Sequence, residues 1–441
     1  MRGALLLACA LGGCESATEP RVPSILSANL TAVGPLARTL EITLSGESPL
    51  AVEYWTTGGP RLRLTSEGTA TSHTLVLARL HPGREYEYEV PGTPWRGTFQ
   101  TDPLPPDLEE VSFTASGNPT VPLVLLHLYD PPGFMGYAIV DGGGEVVWYF
   151  RTLDLPFGMT RRANGNFVLM DKARGLVEVT PAGTVVHELS QDTIQREQHH
   201  DVIATPQNTL LFIASDRRDY EGVPLKGEAV WEWSPESSTT TRRWTSWDYL
   251  SPVQDRGPRF GTEWLHANAL GIGPRGNILL SVHYLNQIVS IAADWSSIEW
   301  RLGGVNASIA VPEEEQFSGQ HTAREIAPGR VVLFDNRRDS SGPTSRAVEF
   351  EVIGDRAEKR WDWAPTPGNY ASAVGAARRL DNGNTLVGFG MSAGLAGSTG
   401  PTEVYEVSAA GEVVWHLALS THVMYRAEPL EAIGTERVVP Q

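Results

Sequence analysis

Asn164-Gly165-Asn166-Phe167-Val168-Leu169-Met170 reads as a tight turn followed by an apolar strand, and the chain repeats it. Gly276-Asn277-Ile278-Leu279-Leu280, Gly329-Arg330-Val331-Val332-Leu333-Phe334 and Asn382-Gly383-Asn384-Thr385-Leu386-Val387 share the form, with Pro206-Gln207-Asn208-Thr209-Leu210-Leu211 as a variant. Gly and Asn take positive φ cheaply, and a short apolar run bounded by turn residues reads as a buried strand. Between the copies lies a hairpin that usually ends in Trp. It appears as Gly144 to Trp148, Val230 to Trp244, Ile288 to Trp300, Val348 to Trp361 and Val404 to Trp415, with Leu176 to Leu189 lacking the Trp. Spacings of 43, 68, 53 and 54 between Gly165, Asn208, Gly276, Gly329 and Gly383 suit a β-propeller with insertions. Six hairpins, the first preceded by the apolar Val121 to Leu128, predict an all-β chain with a six-bladed propeller over residues 121–441.

The composition agrees. Among 441 residues, 44 Gly and 31 Pro suit many turns between short strands, and 41% hydrophobic residues supply a sizeable core. A formal net charge of −17 repels a phosphate backbone, so no nucleic-acid partner is expected. A local basic cluster can still oppose that sign for a small anion.

Upstream, Leu40-Glu41-Ile42-Thr43-Leu44 and Ala51-Val52-Glu53-Tyr54-Trp55 alternate with period two, as half-buried strands do. Leu80-His81-Pro82-Gly83-Arg84-Glu85-Tyr86-Glu87-Tyr88 is similar to the tyrosine corner of a β-sandwich, where a hydroxyl ties back to upstream backbone. Residues 24–102 resemble a fibronectin type III module, and 103–120, opening in Pro103-Leu104-Pro105-Pro106, are expected to be a Pro-rich linker. At the start, Arg2, the apolar Ala4 to Leu11 and Leu11-Gly12-Gly13-Cys14 resemble a bacterial lipoprotein signal over 1–13. That resemblance implies lipidation of Cys14 and an exported protein, anchored through that lipid to a membrane of the cell envelope or periplasm. Cys9 and Cys14 are the two cysteines, so a chain processed in this way has no thiol for catalysis, disulfides or metal.

The chemistry lies in histidines that keep phase with the repeat. His199-His200-Asp201 precedes Pro206, His266-Ala267-Asn268 precedes Pro274, and His321-Thr322-Ala323 precedes Pro328. Each leads into the strand expected to be innermost in its blade, so three imidazoles should converge at one mouth of the channel, with His283 near them. The repeat does not itself demand His, because other copies carry Thr160-Arg161-Arg162 and Ser372-Ala373-Val374 there. Such a cluster can bind a divalent metal, donate hydrogen bonds to an anion, or contain a covalent nucleophile.

Gln320-His321-Thr322-Ala323, Val332-Leu333-Phe334-Asp335-Asn336 and Ser345-Arg346-Ala347-Val348-Glu349 resemble the bacterial aryl-sulfate sulfotransferases. So do Glu263 to Asn268, His199-His200-Asp201, Trp300-Arg301-Leu302-Gly303-Gly304 and Tyr425-Arg426-Ala427. The resemblance implies a six-bladed propeller after an N-terminal sandwich. It also implies a ping-pong transfer of a sulfuryl group from a small phenolic sulfate to an acceptor phenol, through a sulfohistidine and without a cofactor or metal. By motif match His321 is the nucleophile, with His266 and His200 as the other expected catalytic residues. His199, Asn268, His283, Asn336, Arg346 and Arg426 are expected to bind substrate. His199 and His200 are not separable here, since one residue of strand register flips the face.

One position departs from the family. Where it usually carries an arginine in a Ser-x-Arg context, this chain has Ser281-Val282-His283. His283 is expected as a weaker anion clamp that acts as the imidazolium. A non-catalytic surface binding propeller and a metal-dependent hydrolase or lyase built on the His cluster stand as alternatives, and a homodimer stays open.

Overall fold

The computed structural model describes residues 23–339, 344–390, 400–420 and 423–439. The leader segment and Cys14 lie outside the described residues.

Six antiparallel sheets carry the repeat. The apolar strand after each turn marker, such as Phe167–Asp171, Ile278–Val282, Arg330–Asp335 or Thr385–Phe389, is the second strand of its sheet. This corrects the expectation that it is innermost. The innermost strands are the segments just before the turns: Pro156–Arg161, Gln198–Ala204, Ala267–Ile272, His321–Ala327 and Ala376–Arg379. A second strand is covered on both faces by neighbouring sheets and so reads as an unbroken apolar run, the louder signal. The inner strands carry polar residues towards the channel and are quieter in sequence.

These inner strands touch in succession, and Val423–Leu430 touches both the last and the first, so six blades ring a channel. Both ends of the chain help to close that ring. Val423–Leu430 pairs with Leu123–Tyr129 as the innermost strand of the first blade, and Phe113–Gly117 adds a fifth, outer strand beside Val413–Leu419 in the last. Phe113–Gly117 and the short helix Pro106–Glu109 fall inside the stretch expected as a linker, which is correspondingly shorter. The pairing of 113–117 with a strand some three hundred residues away leaves no local mark in the sequence.

Trp side chains clasp three pairs of neighbouring blades. Trp148 Nε1 donates to Pro181 O (3.0 Å), Trp363 Nε1 to Gly411 O (3.1 Å) and Trp415 Nε1 to Gly142 O (2.9 Å), each into an outer hairpin turn of the next blade. The Asn-Gly-Asn turns are held in a similarly recurrent way. Asn164 and Asn166 donate to Glu178, and Asn384 donates to Glu406, both acceptors being buried.

The N-terminal unit has two sheets over one core of Leu40, Ile42, Val52, Tyr54, Leu75 and Leu77. One sheet has the order Ile25–Gly34, Ala37–Ser48, Ala70–Leu77, and the other places Ala51–Thr56 between Leu62–Thr65 and Glu85–Glu89. The Tyr86 hydroxyl accepts the His81 backbone N–H at 2.9 Å, which is the tie-back expected of that segment. Arg437–Val438 pairs with Leu62–Thr65, so the chain's last described strand joins this unit rather than the blades. Ala78 packs with Leu123, Leu125 and Ile433, and His81 Nε2 lies 2.9 Å from Asp141 Oδ2, so the two units share buried surface.

His127, on Leu123–Tyr129, reaches across to the second blade, with Nδ1 2.5 Å from Phe157 O. It is fully buried, and burial pushes its pKa down to about 4. An unfolded chain binds that proton near pH 6.5, whereas the native state resists it until about 4. The associated stability is therefore present above pH 6.5 and lost as the pH falls through that window. Acidification from pH 7 to 4 should cost on the order of 3 kcal/mol through this residue. Urea unfolding at fixed pH values should show it, with a shallower slope for His127→Gln; the same slope in both proteins would contradict the assignment.

Candidate active site

The inner strands of three consecutive blades are kinked at the same end. Register breaks between Gln198 and Val202, between Ala267 and Ala269, and between His321 and Arg324. At or beside each break a non-glycine residue has left-handed backbone: His200 (φ 64), His266 (φ 53) and Thr322 (φ 54), with Val374 (φ 59) in the next blade. For a β-branched residue this is a true outlier, and such strain persists only where the surroundings impose it. Bulges of this kind re-aim side chains at the rim of a sheet. Here they turn imidazoles towards one another.

Five imidazoles form a continuous run. Ring centres lie 4.9 Å apart from His199 to His200, 4.6 Å from His200 to His266, 5.3 Å from His266 to His283 and 5.2 Å from His283 to His321. The expectation of imidazoles around one point is corrected to a row, because neighbouring blades present them side by side along the channel rim. No three of these rings offer nitrogens within 4.8 Å of one another, so they do not make a metal cage. The one group among the described residues that meets that criterion is His81, Asp141 and Glu145, between the N-terminal unit and the first blade, where Arg84 also pairs with Glu145.

His321 is the best defined member. Its Nδ1 lies 2.8 Å from Asn336 Oδ1 and 3.1 Å from Gly319 O. Asn336 is oriented by its own amide group, which donates to Ala371 O (2.8 Å) and Val374 O (2.9 Å). Two oxygens on Nδ1 require a proton there, which leaves the lone pair on Nε2. Burial, with Arg426 and His266 adding to it, brings the pKa down to about 3 against the hydrogen bonds, so His321 is neutral near pH 7. Asn336 thus acts on the far side of His321, rather than on substrate as expected.

His283 differs from its expected role more sharply. It is buried, and burial together with His321, His266, Arg259 and Arg338 holds its pKa well below 6.5. Its Nδ1 faces Asn268 Nδ2 and its Nε2 faces Arg338 Nη1, each at 3.4 Å, and both neighbours are donors. An imidazolium is disfavoured there, which corrects the expectation of a cationic clamp at His283. The permanent charge beside it belongs to Arg338, and no ion pair involves Arg338 among the described residues.

The structure also separates His199 from His200. His199 is buried, with Nε2 3.0 Å from Glu228 Oε2, and stands at the end of the row. His200 lies between His199 and His266, stacks on Phe157 (4.9 Å) and sits near Tyr425 (6.3 Å). Burial, then its histidine neighbours, keep His200 well below the usual imidazole range.

Two arginines expected to bind substrate do structural work instead. Arg346 donates to Asp335, Glu315 and Asp362 and to Glu315 O, so its fork is occupied. Arg426 donates to Asp201 Oδ1 (2.6 Å) and to Asn268 O (2.8 Å). Asn268 donates to Gln320 O (2.8 Å), which ties the His266 strand to the segment just before His321, while its buried Oδ1 has no hydrogen-bond partner among the described residues. Sequence reasoning passed over Glu228, Glu263, Lys226, Tyr284 and Arg338. Of these only Glu263, three residues before His266, stood inside a motif already quoted.

No curated protein sequence matches the chain. Among solved structures, a protein of unknown function from Bacteroides caccae is similar, with 13% identity and a TM-score of 0.47 over 70% of this chain and 100% of that one. Virginiamycin B lyase from Staphylococcus aureus is similar with 10% identity and a TM-score of 0.35, over 70% of this chain and 99% of that one. A streptogramin B lyase gives 10% and 0.37, over 87% and 98%. Resemblances this distant carry no argument about chemistry. The profile of the arylsulfotransferase (ASST) family matches residues 132–426, which span every blade and all five imidazoles, and on that match the chain belongs to the arylsulfotransferase family.

Proposed function

We propose that this protein moves a sulfuryl group from a phenolic sulfate ester to an acceptor phenol, by a ping-pong route through a sulfohistidine at His321. The observation that carries the reading is the pair of oxygens on His321 Nδ1, which leaves the Nε2 lone pair free on a neutral ring. In the first half-reaction Nε2 attacks sulfur, the bond from sulfur to the aryl oxygen breaks, and a phenol leaves with a proton from the imidazole row. In the second, the acceptor phenol gives up its proton and attacks sulfur, and the lone pair returns to Nε2. While the sulfuryl group is attached, the His321 ring carries positive charge. Gly319 O and Asn336 Oδ1 stabilise that charge as neutral acceptors that cannot remove the Nδ1 proton. The ring therefore remains a good leaving group for the return step. Arg338, in place of His283, supplies permanent charge for the sulfuryl oxygens. Tyr284, stacked on His266 (4.8 Å, 12° between planes), and Phe157, stacked on His200, give an aryl group apolar faces near the row.

Incubation with an aryl sulfate but no acceptor should add one sulfuryl group to the protein, seen by intact-mass spectrometry, and His321→Ala should take up none. Release of phenol by His321→Ala at the wild-type rate would sink the covalent route. Asn336→Leu removes the acceptor that sets the tautomer, so kcat should fall about 10²-fold or more with KM little changed, the pattern of a nucleophile held in the wrong tautomer. A rise in KM alone would instead place Asn336 on substrate.

The same reading extends to location. We propose that Cys14 carries a lipid that holds the protein to a membrane of the cell envelope, with the fibronectin type III-like unit between anchor and blades. Leu11-Gly12-Gly13-Cys14 is the support. Cys14→Ser should shift the protein from the membrane to the soluble fraction on centrifugation; an unchanged distribution would refute the anchor.

A further inference from the structure

The first blade's hairpin turn, Asp141-Gly142-Gly143-Gly144-Glu145, meets the N-terminal unit at His81, and both sides of that contact are fixed. The His81 backbone N–H donates to the Tyr86 hydroxyl (2.9 Å), and its C=O accepts from Thr101 Oγ1 (2.7 Å). On the blade, Asp141 Oδ1 accepts the backbone N–H groups of Gly143 (2.9 Å) and Glu145 (3.0 Å), and Trp415 of the last blade grips the turn at Gly142 O. Three atoms are left facing one another. His81 Nε2 lies 2.9 Å from Asp141 Oδ2 and 3.2 Å from Glu145 Oε2, and all three fall within 4.8 Å of one another. A single proton on Nε2 serves only one of the two oxygens: it bonds Asp141, and Glu145 Oε2 accepts no hydrogen bond among the described residues.

We propose that His81 Nε2, Asp141 Oδ2 and Glu145 Oε2 bind a divalent cation of the zinc class, which ties the N-terminal unit to the first blade. The site lies apart from the imidazole row and does not depend on the sulfuryl-transfer reading. Zinc takes imidazole nitrogen and carboxylate oxygen at about 2.0–2.2 Å in a tetrahedron, which sets neighbouring ligand atoms roughly 3.3–3.6 Å apart. The two distances from His81 Nε2 fall a few tenths of an ångström short of that, so small outward turns of the two carboxylates admit the ion. Its arrival displaces the Nε2 proton to solvent. About half of the Glu145 side chain is exposed, which gives the ion a way in and a water a place at the fourth position.

The atoms behind the three ligands carry the argument. A metal ligand is oriented by what its other polar atom bonds, and a bare ion pair has no need of such support on every member. Here Asp141 Oδ1 holds two backbone N–H groups, and Glu145 Oε1 accepts from Arg84 Nη2 (2.6 Å). His81 Nδ1 lies 3.2 Å from the Tyr86 hydroxyl. That oxygen has two lone pairs and the His81 backbone N–H takes one, so it can accept Nδ1–H once Nε2 is on the metal. Each residue therefore commits one atom to the fold and turns the other to a shared point. Two carboxylates balance the charge of a divalent ion, and the imidazole selects zinc over calcium or magnesium, which prefer a full shell of oxygens.

Zinc binding to the full-length protein, first freed of metal with a chelator, tests this. Calorimetric titration with zinc should show a site whose affinity falls about 10²-fold or more in Glu145→Gln and in Asp141→Asn, changes that keep the side-chain shapes. His266→Ala and His321→Ala should leave that site unchanged, which separates it from any zinc taken up by the imidazole row. Crystals grown with zinc should show an anomalous peak bonded to His81 Nε2, Asp141 Oδ2 and Glu145 Oε2. Zinc at about 100 times its Kd should raise the Tm of the wild type by roughly 3 °C, and that of Glu145→Gln by much less. Equal zinc affinity in the wild type and both carboxylate variants, a peak confined to the imidazole row, or no zinc binding at all would overturn the proposal. Calcium bound as tightly as zinc would overturn the choice of ion.

Discussion

One carboxylate ties the channel together. Asp201, on the inner strand of the third blade, is almost fully buried and accepts from Arg426 of the first blade and from the Leu270 backbone N–H of the fourth, with Arg324 of the fifth 3.5 Å away. Arg426 continues the link to Asn268 O. Four blades therefore meet on one charge pair. A buried ion pair is weak evidence for stability, because desolvation of both partners offsets most of the attraction. Its consequence here is register. A slip of one residue in any of these strands would leave a charge buried without a partner, at a cost of several kcal/mol. Gly158 belongs to the same constraint, since a Cβ there would lie 2.7 Å from Asp201 Cα.

Register decides the site because the imidazoles come from consecutive blades and must land within a ring's width of each other. His200 and His266 are both in left-handed backbone, His200 inside the break in its inner strand's pairing and His266 just before the inner strand Ala267–Ile272, whose pairing breaks after Ala267. His321 stands one residue earlier in its strand, before the left-handed Thr322. That offset places it at the far end of the row, with Nδ1 against Gly319 O and Asn336 and Nε2 open. A strict repeat would have made three equivalent histidines. The one-residue departure makes the last of them different in kind.

The architecture was legible in the sequence because turn chemistry and apolar runs are local. Asn-Gly-Asn followed by Phe-Val-Leu-Met marks a turn and a doubly covered strand wherever it occurs. The histidines were legible because they recur in phase while the repeat does not need them. What stayed hidden depends on distant partners. The closing strand 113–117 has its partner at the other end of the chain. Arg346 and Arg426 looked like free cations until Glu315, Asp335, Asp362 and Asp201 were placed beside them. His283 looked like a titrating clamp until Asn268 and Arg338 were found on its two nitrogens.

The electrostatics of the row follow from that crowding. Five imidazoles at about 5 Å spacing cannot all be charged, since each positive ring raises the cost of the next and burial penalises every one. Carboxylates reach only His199 and His266, through Glu228 and Glu263. His321 has oxygen acceptors, His283 the Asn268 amide and the Arg338 guanidinium, and His200 other imidazoles as neighbours, and all three are held below the usual range. A single row of one residue type is thereby divided: burial and neighbours hold His200, His283 and His321 neutral, while His199 and His266 each have a carboxylate close to one nitrogen. Identical side chains take different chemical parts according to which atom stands on the second nitrogen, and in this protein the propeller's register chooses that atom.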